Sequence, residues 1–339
     1  MAERLWLRGG DVNWLITGGC GFIGRALATE LLATGGQQVR VFDNLSVGTK
    51  ADLLTVSRFS ELPSNTIDRE WAAPLALCEA DILDYEAVSS ALVGADVVVH
   101  LAANTGVGPS VEDPFADCQA NVTGTLNMLE ACRHAGIKRL VFASSGAPLG
   151  VQTPPLQENM APHPASPYGA SKLAGEGYCS AYYHCFGVET VVLRFGNVYG
   201  EGSGHKQSVV AKFIKQALAG ERLEIFGDGS QTRDFIHIAD LVRAIRQSAE
   251  QADIGGETFQ IATAQETTVT EMTEALVAVM QAEGLNPPEV FNGASRTGDV
   301  ARNYSDTTKA AEQLGWRAEV GLQDGLRRTL RYFLNDKEQ

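Results

Sequence analysis

Five short runs rich in Val, Ile, Leu and Phe, at residues 12–17, 39–43, 97–101, 139–145 and 188–195, alternate with longer stretches of helical spacing at 22–33, 117–135 and 168–186. Strands apolar on both faces must be covered on both faces, and crossover helices supply the cover. The pattern therefore predicts a doubly wound α/β fold around a parallel sheet. From about residue 198 the rhythm changes to mixed loops, helical patterns near 208–219 and 270–283, and the Gly-rich "IFGDGSQTRDF". A smaller C-terminal α/β lobe is expected to begin there, with "FIHIADL" at 235–241 returning to the first domain. Residues 52–76 read as a polar surface insertion and 335–339 as a frayed tail.

A length of 339 residues exceeds the size at which a single core stops growing, in keeping with one domain plus a lobe. The net charge of -14, from 27 Lys+Arg against 41 Asp+Glu, repels a nucleic-acid backbone over most of the surface. No nucleic-acid partner is expected, and a phosphate ligand must sit in a local pocket. The opening "MAERLWLRGGDVNW" carries Glu3, Arg4 and Arg8 and lacks a signal-peptide apolar stretch. No uncharged apolar run approaches the ~18 residues of a membrane span, so a cytoplasmic protein is expected. The cysteines Cys20, Cys78, Cys118, Cys132, Cys179 and Cys185 are scattered without a CxxC pair, so neither a disulfide nor a metal is expected.

"LITGGCGFIG" places Gly18, Gly21 and Gly24 after a strand and at the start of a helical pattern. Glycines let backbone amides approach a pyrophosphate closely, and the helix N-terminus behind them offers unpaired donors and a positive dipole end. The next strand ends "VRVFDNL", putting Asp43 nineteen residues past Gly24. A carboxylate there accepts the ribose hydroxyls and repels a 2′-phosphate, which favours NAD over NADP. "EADILD" at 79–84 suggests Asp81 and Ile82 at the adenine edge. "VVVHLAA" at 97–103 ends a strand in small residues, as a flat cofactor requires.

"SPYGASKLAGEGY" at 166–178 sets Tyr168 and Lys172 four apart on one helix face. A phenol with a reference pKa of ~10 is a poor base at neutral pH, and nearby positive charge favours its phenolate. Alone the spacing is better explained by an ordinary surface pair; after a dinucleotide loop and the two serines of "FASSGAPLG" it points to proton transfer.

In this ordered set of motifs the chain resembles the extended short-chain dehydrogenase/reductases, specifically the nucleotide-sugar epimerase/dehydratase group. The resemblance runs from "TGGCGFIG" through "HLAA", "NVTGTLNMLEA", "YGASK", "LRFGNVYG" and "GDGSQTRDFIHIADL" to "RTGDVARNYSDTTKAAEQLGW". It implies a Rossmann-type domain at 11–197, joined by 235–262, and a nucleotide-sugar lobe at 198–234 and 263–334. Cofactor contacts would extend to Phe22, Ile23 and Asn44, to Leu101, Ala102 and Ala103, and to Asn121. Ser145 would hydrogen-bond the sugar 4-hydroxyl, Tyr168 would take its proton as hydride passes from C4 to the nicotinamide, and Lys172 would hold the nicotinamide ribose. Ser144 and Thr105 would line the sugar pocket. Asn197, Arg233 and Arg296 would bind the nucleoside diphosphate, a task that suits planar guanidinium forks. A homodimer paired through the stretches 117–135 and 168–186 is also implied.

Dehydratases resembling this chain place an acidic residue just after the loop hydroxyl, because elimination of water needs an acid/base pair beyond tyrosine. Here those positions are Gly146 and Ala147, so the loop favours 4-epimerisation through a 4-keto sugar. The chain departs from the group at Pro148, Leu149, Glu201 and in "RTGD", which leaves the sugar open. Asn303, where related galactose epimerases carry a bulky residue, suggests room for an N-acetylated hexosamine or its uronate, although Tyr304 is adjacent. The implied reading is a UDP-sugar 4-epimerase of the kind that serves surface polysaccharide synthesis. Two alternatives stand beside it: a dehydratase, 5-epimerase or reductase drawing an extra group from Glu201, His205 or Lys206, and a non-catalytic NAD-binding regulator.

Overall fold

The computed structural model describes residues 12–65, 68–137, 139–295 and 300–336. Its main sheet has eight strands: β1 (Val12–Thr17), β2 (Gln37–Asp43), β3 (Ser60–Leu62), β4 (Leu75–Glu79), β5 (Val97–His100), β6 (Arg139–Ser145), β7 (Thr190–Phe195) and Thr258–Ile261. All pair in parallel, in the order Thr258–Ile261, β7, β6, β5, β1, β2, β4, β3. The winding reverses between β1 and β5, and in such sheets the crevice beyond the strand C-termini at that point is where ligands bind.

Alternate residues of each strand feed two cores. Trp14, Ile16, Val97, Val99 and Val141 pack with the helices Phe22–Thr34 and Ile238–Glu250 on one face. Leu15, Val98, Leu140 and Phe142 pack with Tyr85–Ala91, Gly124–Ala135 and Pro167–Phe186 on the other. Both faces are dry, which is why these strands read as unbroken apolar runs. In the lobe, the helices Val209–Leu218, Val269–Ala282 and Leu322–Asp336 enclose Ile214, Leu276 and Leu330 beside the strand pair Leu223–Phe226 and Val290–Gly293. No helix among the described residues is long and apolar enough to cross a membrane.

Two expectations are corrected. Segment 52–76 is not a polar insertion: it finishes the helix Lys50–Leu54, adds the edge strand β3, and buries Leu53 and Trp71 before entering β4. Buried Arg40 of β2 lies 3.9 Å from the centre of the Trp71 ring and pairs with Asp68 at 2.9 Å. Two of the three β3 residues are exposed, as suits a sheet edge, so no apolar run marks that strand. The stretch 117–135 begins earlier, at Pro114, and contains a π turn at Gln119–Thr123. Such a turn often marks a functional position, and here it carries Asn121.

Candidate active site

The turn after β1 presses against the end of β5. Gly18 has φ +67°, and a Cβ there would lie 2.9 Å from the Ala102 nitrogen, so only glycine fits. At Gly24 a Cβ would come within 2.6 Å of the Gly18 carbonyl oxygen, which lets the helix Phe22–Thr34 start directly behind the loop. Gly21 caps that helix without a side-chain bond, and the first intrahelical bond runs from Arg25 N to the Gly21 carbonyl at 3.0 Å. The amides of Phe22, Ile23 and Gly24 precede it and remain as helix-end donors for an anion.

Asp43, buried at the end of β2, accepts the Cys20 amide at 2.9 Å and the Leu45 amide at 2.8 Å. Burial raises its pKa, and the two amide bonds oppose the rise. Each carboxylate oxygen still has acceptor capacity for a ribose hydroxyl. Asn44 donates to Asp81 at 2.8 Å, bringing the ends of β2 and β4 together, and the Ile82 side chain packs where a Cβ on Gly124 would sit. The glycine cradle, the free helix end and these carboxylates fit a dinucleotide.

Leu101 and Ala102 each donate their amides to Thr17 Oγ1 at 3.1 Å, and the half-buried Ala103 follows them in the chain. Thr17 in turn meets His100 Nδ1 at 2.8 Å, while Nε2 faces Thr125 Oγ1 at 3.2 Å. Thr17 already accepts two amides, so it donates to Nδ1, and the ring proton belongs on Nε2. Burial, aided by the Lys172 charge, pushes the His100 pKa down to about 3, so the ring is neutral.

The helix Pro167–Phe186 starts cleanly because Ser166 accepts the Gly169 amide at 3.1 Å and Pro167 occupies its first position. Tyr168 therefore lies in the first turn, with its hydroxyl beside the Ser145 side chain. Burial raises the Tyr168 pKa; the Ser145 bond lowers it and the Asp117 charge adds to the rise. Lys172 donates to the Ala143 carbonyl at 2.9 Å and lies 4.9 Å from the centre of the Phe142 ring. Its pKa is pushed down by burial to about 8, with Asp117 the main opposing charge. Ser145 also accepts the Ala147 amide at 2.9 Å, which closes the loop into a tight turn.

From the lobe, the Asn303 side-chain amide nitrogen lies 4.0 Å from where a Gly146 Cβ would be. Asn303 is held there because Leu156 bonds to the Tyr304 carbonyl at 2.9 Å and the Asp306 amide to Leu156 at 2.8 Å. Asn197 is exposed at the start of a short strand paired with Phe235–His237. Arg233 donates to the Thr232 and Val300 carbonyls at 2.7 Å each. Thr105 is exposed, next to Asn104, whose amide and carbonyl both bond to the Asn121 side chain. Arg296 lies outside the described residues.

Ser144 departs from expectation. Its hydroxyl donates to Glu176 Oε1 at 2.5 Å, in a buried site, so it is committed to the scaffold rather than to a sugar. Glu176 and Asp117 were not singled out from the sequence. Both carry a periodic signal, Glu176 four residues after Lys172 and Asp117 four before Asn121, whose amide donates to it at 3.0 Å. Glu201 and His205 are engaged elsewhere, with His237 at 3.1 Å and Asp52 at 3.3 Å.

The reversal in strand order, the glycine cradle and the Ser145–Tyr168–Lys172 grouping define an NAD-dependent enzyme of the extended short-chain dehydrogenase/reductase type. The sequence profile of the NAD dependent epimerase/dehydratase family matches residues 14–262. The chain is 35% identical over 331 residues to the UDP-glucose 4-epimerase of Mycolicibacterium smegmatis, covering 96% of this chain and 99% of the relative. Among solved structures, the UDP-N-acetylglucosamine 4-epimerase of Methanobrevibacter ruminantium, in complex with UDP-N-acetylmuramic acid, superposes with a TM-score of 0.85 at 29% identity, over 97% of this chain and all of that one. The UDP-glucuronic acid 4-epimerase of Bacillus cereus, in complex with UDP-glucuronic acid and NAD, superposes with a TM-score of 0.83 at 29% identity, over 96% and 99%. The chain belongs to the NAD dependent epimerase/dehydratase family. It is an enzyme, and its reaction is NAD-dependent 4-epimerisation of a nucleotide sugar.

Proposed function

We propose that the substrate is a UDP-N-acetylhexosamine or its uronate, epimerised at C4 through a 4-keto sugar with NAD retained throughout. The observation that carries this reading is the floor of the sugar site: the Ser145 and Tyr168 hydroxyls stand together, Gly146 and Ala147 add no carboxylate, and the Asn303 amide stands opposite. Bound NAD supplies the hydride acceptor and donor for C4. Ser145 orients the 4-hydroxyl, Tyr168 takes and returns its proton, and Lys172 supplies positive charge beside them. The absence of a second acid/base pair in this loop leaves oxidation and reduction as the chemistry available, and Glu201 and His205 are already paired.

In this reading residues 11–197 with 235–262 bind the cofactor, and 198–234 with 263–334 bind the nucleotide sugar, Asn197, Arg233 and Arg296 taking the diphosphate. The protein works in the cytoplasm as a homodimer. Exposed Phe115, Tyr178 and Phe186 on the helices Pro114–Cys118 and Pro167–Phe186 support a paired surface. The test is proton NMR of the purified protein, without added NAD, given UDP-GlcNAc, UDP-GalNAc, their uronates, UDP-glucose and UDP-galactose. The C4 epimer of an N-acetylated substrate is expected to appear fastest; faster conversion of plain hexoses, or none of any, would overturn the reading.

A further inference from the structure

Three consecutive residues of β6 are tied to three successive turns of the helix Pro167–Phe186. The Ala143 carbonyl takes the Lys172 ammonium at 2.9 Å, Ser144 donates to Glu176 at 2.5 Å, and Ser145 meets Tyr168. The helix partners are four apart, so one helix face reads one strand end. Little slack is left between them: a Cβ on Gly175 would lie 2.5 Å from Phe142 Cζ, and one on Gly169 would lie 2.6 Å from the Ala147 carbonyl oxygen. A slip of the strand against the helix would therefore move all three contacts together.

Glu176 is itself held from a third element. Arg194 of β7 donates from Nε to Oε1 at 2.9 Å and from Nη2 to Oε2 at 2.7 Å, with both side chains about as buried as the core. Its remaining nitrogen, Nη1, reaches the Glu158 carbonyl at 3.4 Å, and the Glu158 carboxylate accepts the Gln260 amide of the last sheet strand at 2.8 Å. A buried ion pair is a poor way to gain stability, because desolvation offsets most of the attraction and apolar residues of equal volume often do as well. What the fork adds is direction. With both carboxylate oxygens fixed by Arg194, Oε1 presents one acceptor position to Ser144, and the charge-assisted bond fixes the height of β6.

We propose that Glu176, clamped by Arg194, is a positioning residue for the reaction: acting through Ser144, it sets the register of β6 against the catalytic helix and with it the Ser145–Tyr168 contact. This inference rests on the roles given above to Ser145 and Tyr168. It gives Ser144 a mechanical part and no contact with the sugar.

The test compares the parent holoenzyme with Ser144→Ala, Ser144→Thr, Glu176→Gln and the double variant Ser144→Ala/Glu176→Gln, using the nucleotide sugar that the parent turns over fastest. Misplacing a reacting group by about 1 Å costs on the order of 100-fold. Ser144→Ala is expected to lower kcat by about 10- to 100-fold with KM within about twofold and NAD content unchanged. Ser144→Thr keeps the hydroxyl and should recover most of the loss. The double variant should be no slower than the worse single variant, because both changes remove one coupling.

A Ser144→Ala kcat within about twofold of the parent, or a KM that rises as kcat falls, would overturn the proposal, the second because it signals direct substrate contact. If Glu176→Gln does not fold, the two Ser144 variants decide alone. A parent without turnover would sink the functional reading instead. Crystal structures of the parent and Ser144→Ala would then judge the register, and unchanged Ser145–Tyr168 and Lys172–Ala143 contacts would overturn it.

Discussion

Lys172 donates its ammonium to the Ala143 carbonyl at 2.9 Å while the residue is only 4% exposed. A charge enclosed this way is costly, and burial pushes the Lys172 pKa from 10.5 down to about 8. Between those values the unfolded chain binds more protons than the folded one, so stability rises with pH across that window. The cost is fully present below pH 8 and fades as the pH climbs toward 10.5. Lys172→Met, prepared free of cofactor, is expected to be more stable than the parent at pH 7, by up to about 3 kcal/mol, with the gain shrinking by pH 10. Thermal melts at both pH values check this, and a lower Tm for the variant at pH 7 contradicts it.

Tyr168 sits in the opposite situation, with burial raising its pKa and the bond to Ser145 working against the rise. Its hydroxyl is therefore a proton carrier whose readiness depends on Ser145. Tyr168→Phe removes the carrier and leaves the ring. Turnover followed by NMR should fall by about 10²- to 10⁴-fold, while calorimetric binding of the nucleotide sugar changes little. A protein that only held NAD would show no such loss.

The parts of the site visible in the sequence are those whose chemistry is local. Gly18 and Gly24 are marked because no side chain fits their contacts, and Tyr168 and Lys172 because helical spacing stacks them. Asp43 follows from its place at a strand end. Glu176 and Arg194 were not visible in this way, since their meaning comes from a contact between a helix and a strand eighteen residues apart, and either alone reads as a surface charge. The bond between Ser144 and Glu176 was not visible either, because a strand's sequence says which face a side chain takes, not which partner waits there. The edge strand β3 was missed for a related reason: pairing on one side only asks little of its side chains.

Asn303 and Gly146 meet across the two parts of the molecule, and the space between them depends on both being small. Asn303→Tyr should fill it. The ratio of kcat/KM for N-acetylated over plain UDP-hexoses is expected to drop by about 10-fold or more, the scale set by excluding a group from a fitted pocket. Competing-substrate NMR on parent and variant measures the ratio directly. An unchanged ratio would remove Asn303 from the specificity argument and leave the rest of the site as it stands.

Arg25 connects the cofactor loop to the strap that begins the lobe. Its guanidinium donates to the Gly202 carbonyl at 3.0 Å and pairs with Asp52 at 3.3 Å, and His205 of the strap reaches the same Asp52 at 3.3 Å. Gly202 lies against the Phe22 ring, so the strap crosses the end of the helix that would hold the pyrophosphate. Lys215 secures the strap from behind through the Gly204 and Lys206 carbonyls at 3.0 Å each. A dinucleotide seated on that helix end is therefore expected to leave only as these bonds open. Arg25→Met keeps the buried stem and removes the charged fork, and loss of one charge-assisted bond of this kind is worth about 1.5–3 kcal/mol. NAD should then leave about 10-fold faster or more, measured by exchange against labelled NAD, while kcat at saturating NAD stays within about twofold. An unchanged exchange rate would show that the strap opens independently of Arg25 and that retention depends on the glycine cradle and Asp43 alone.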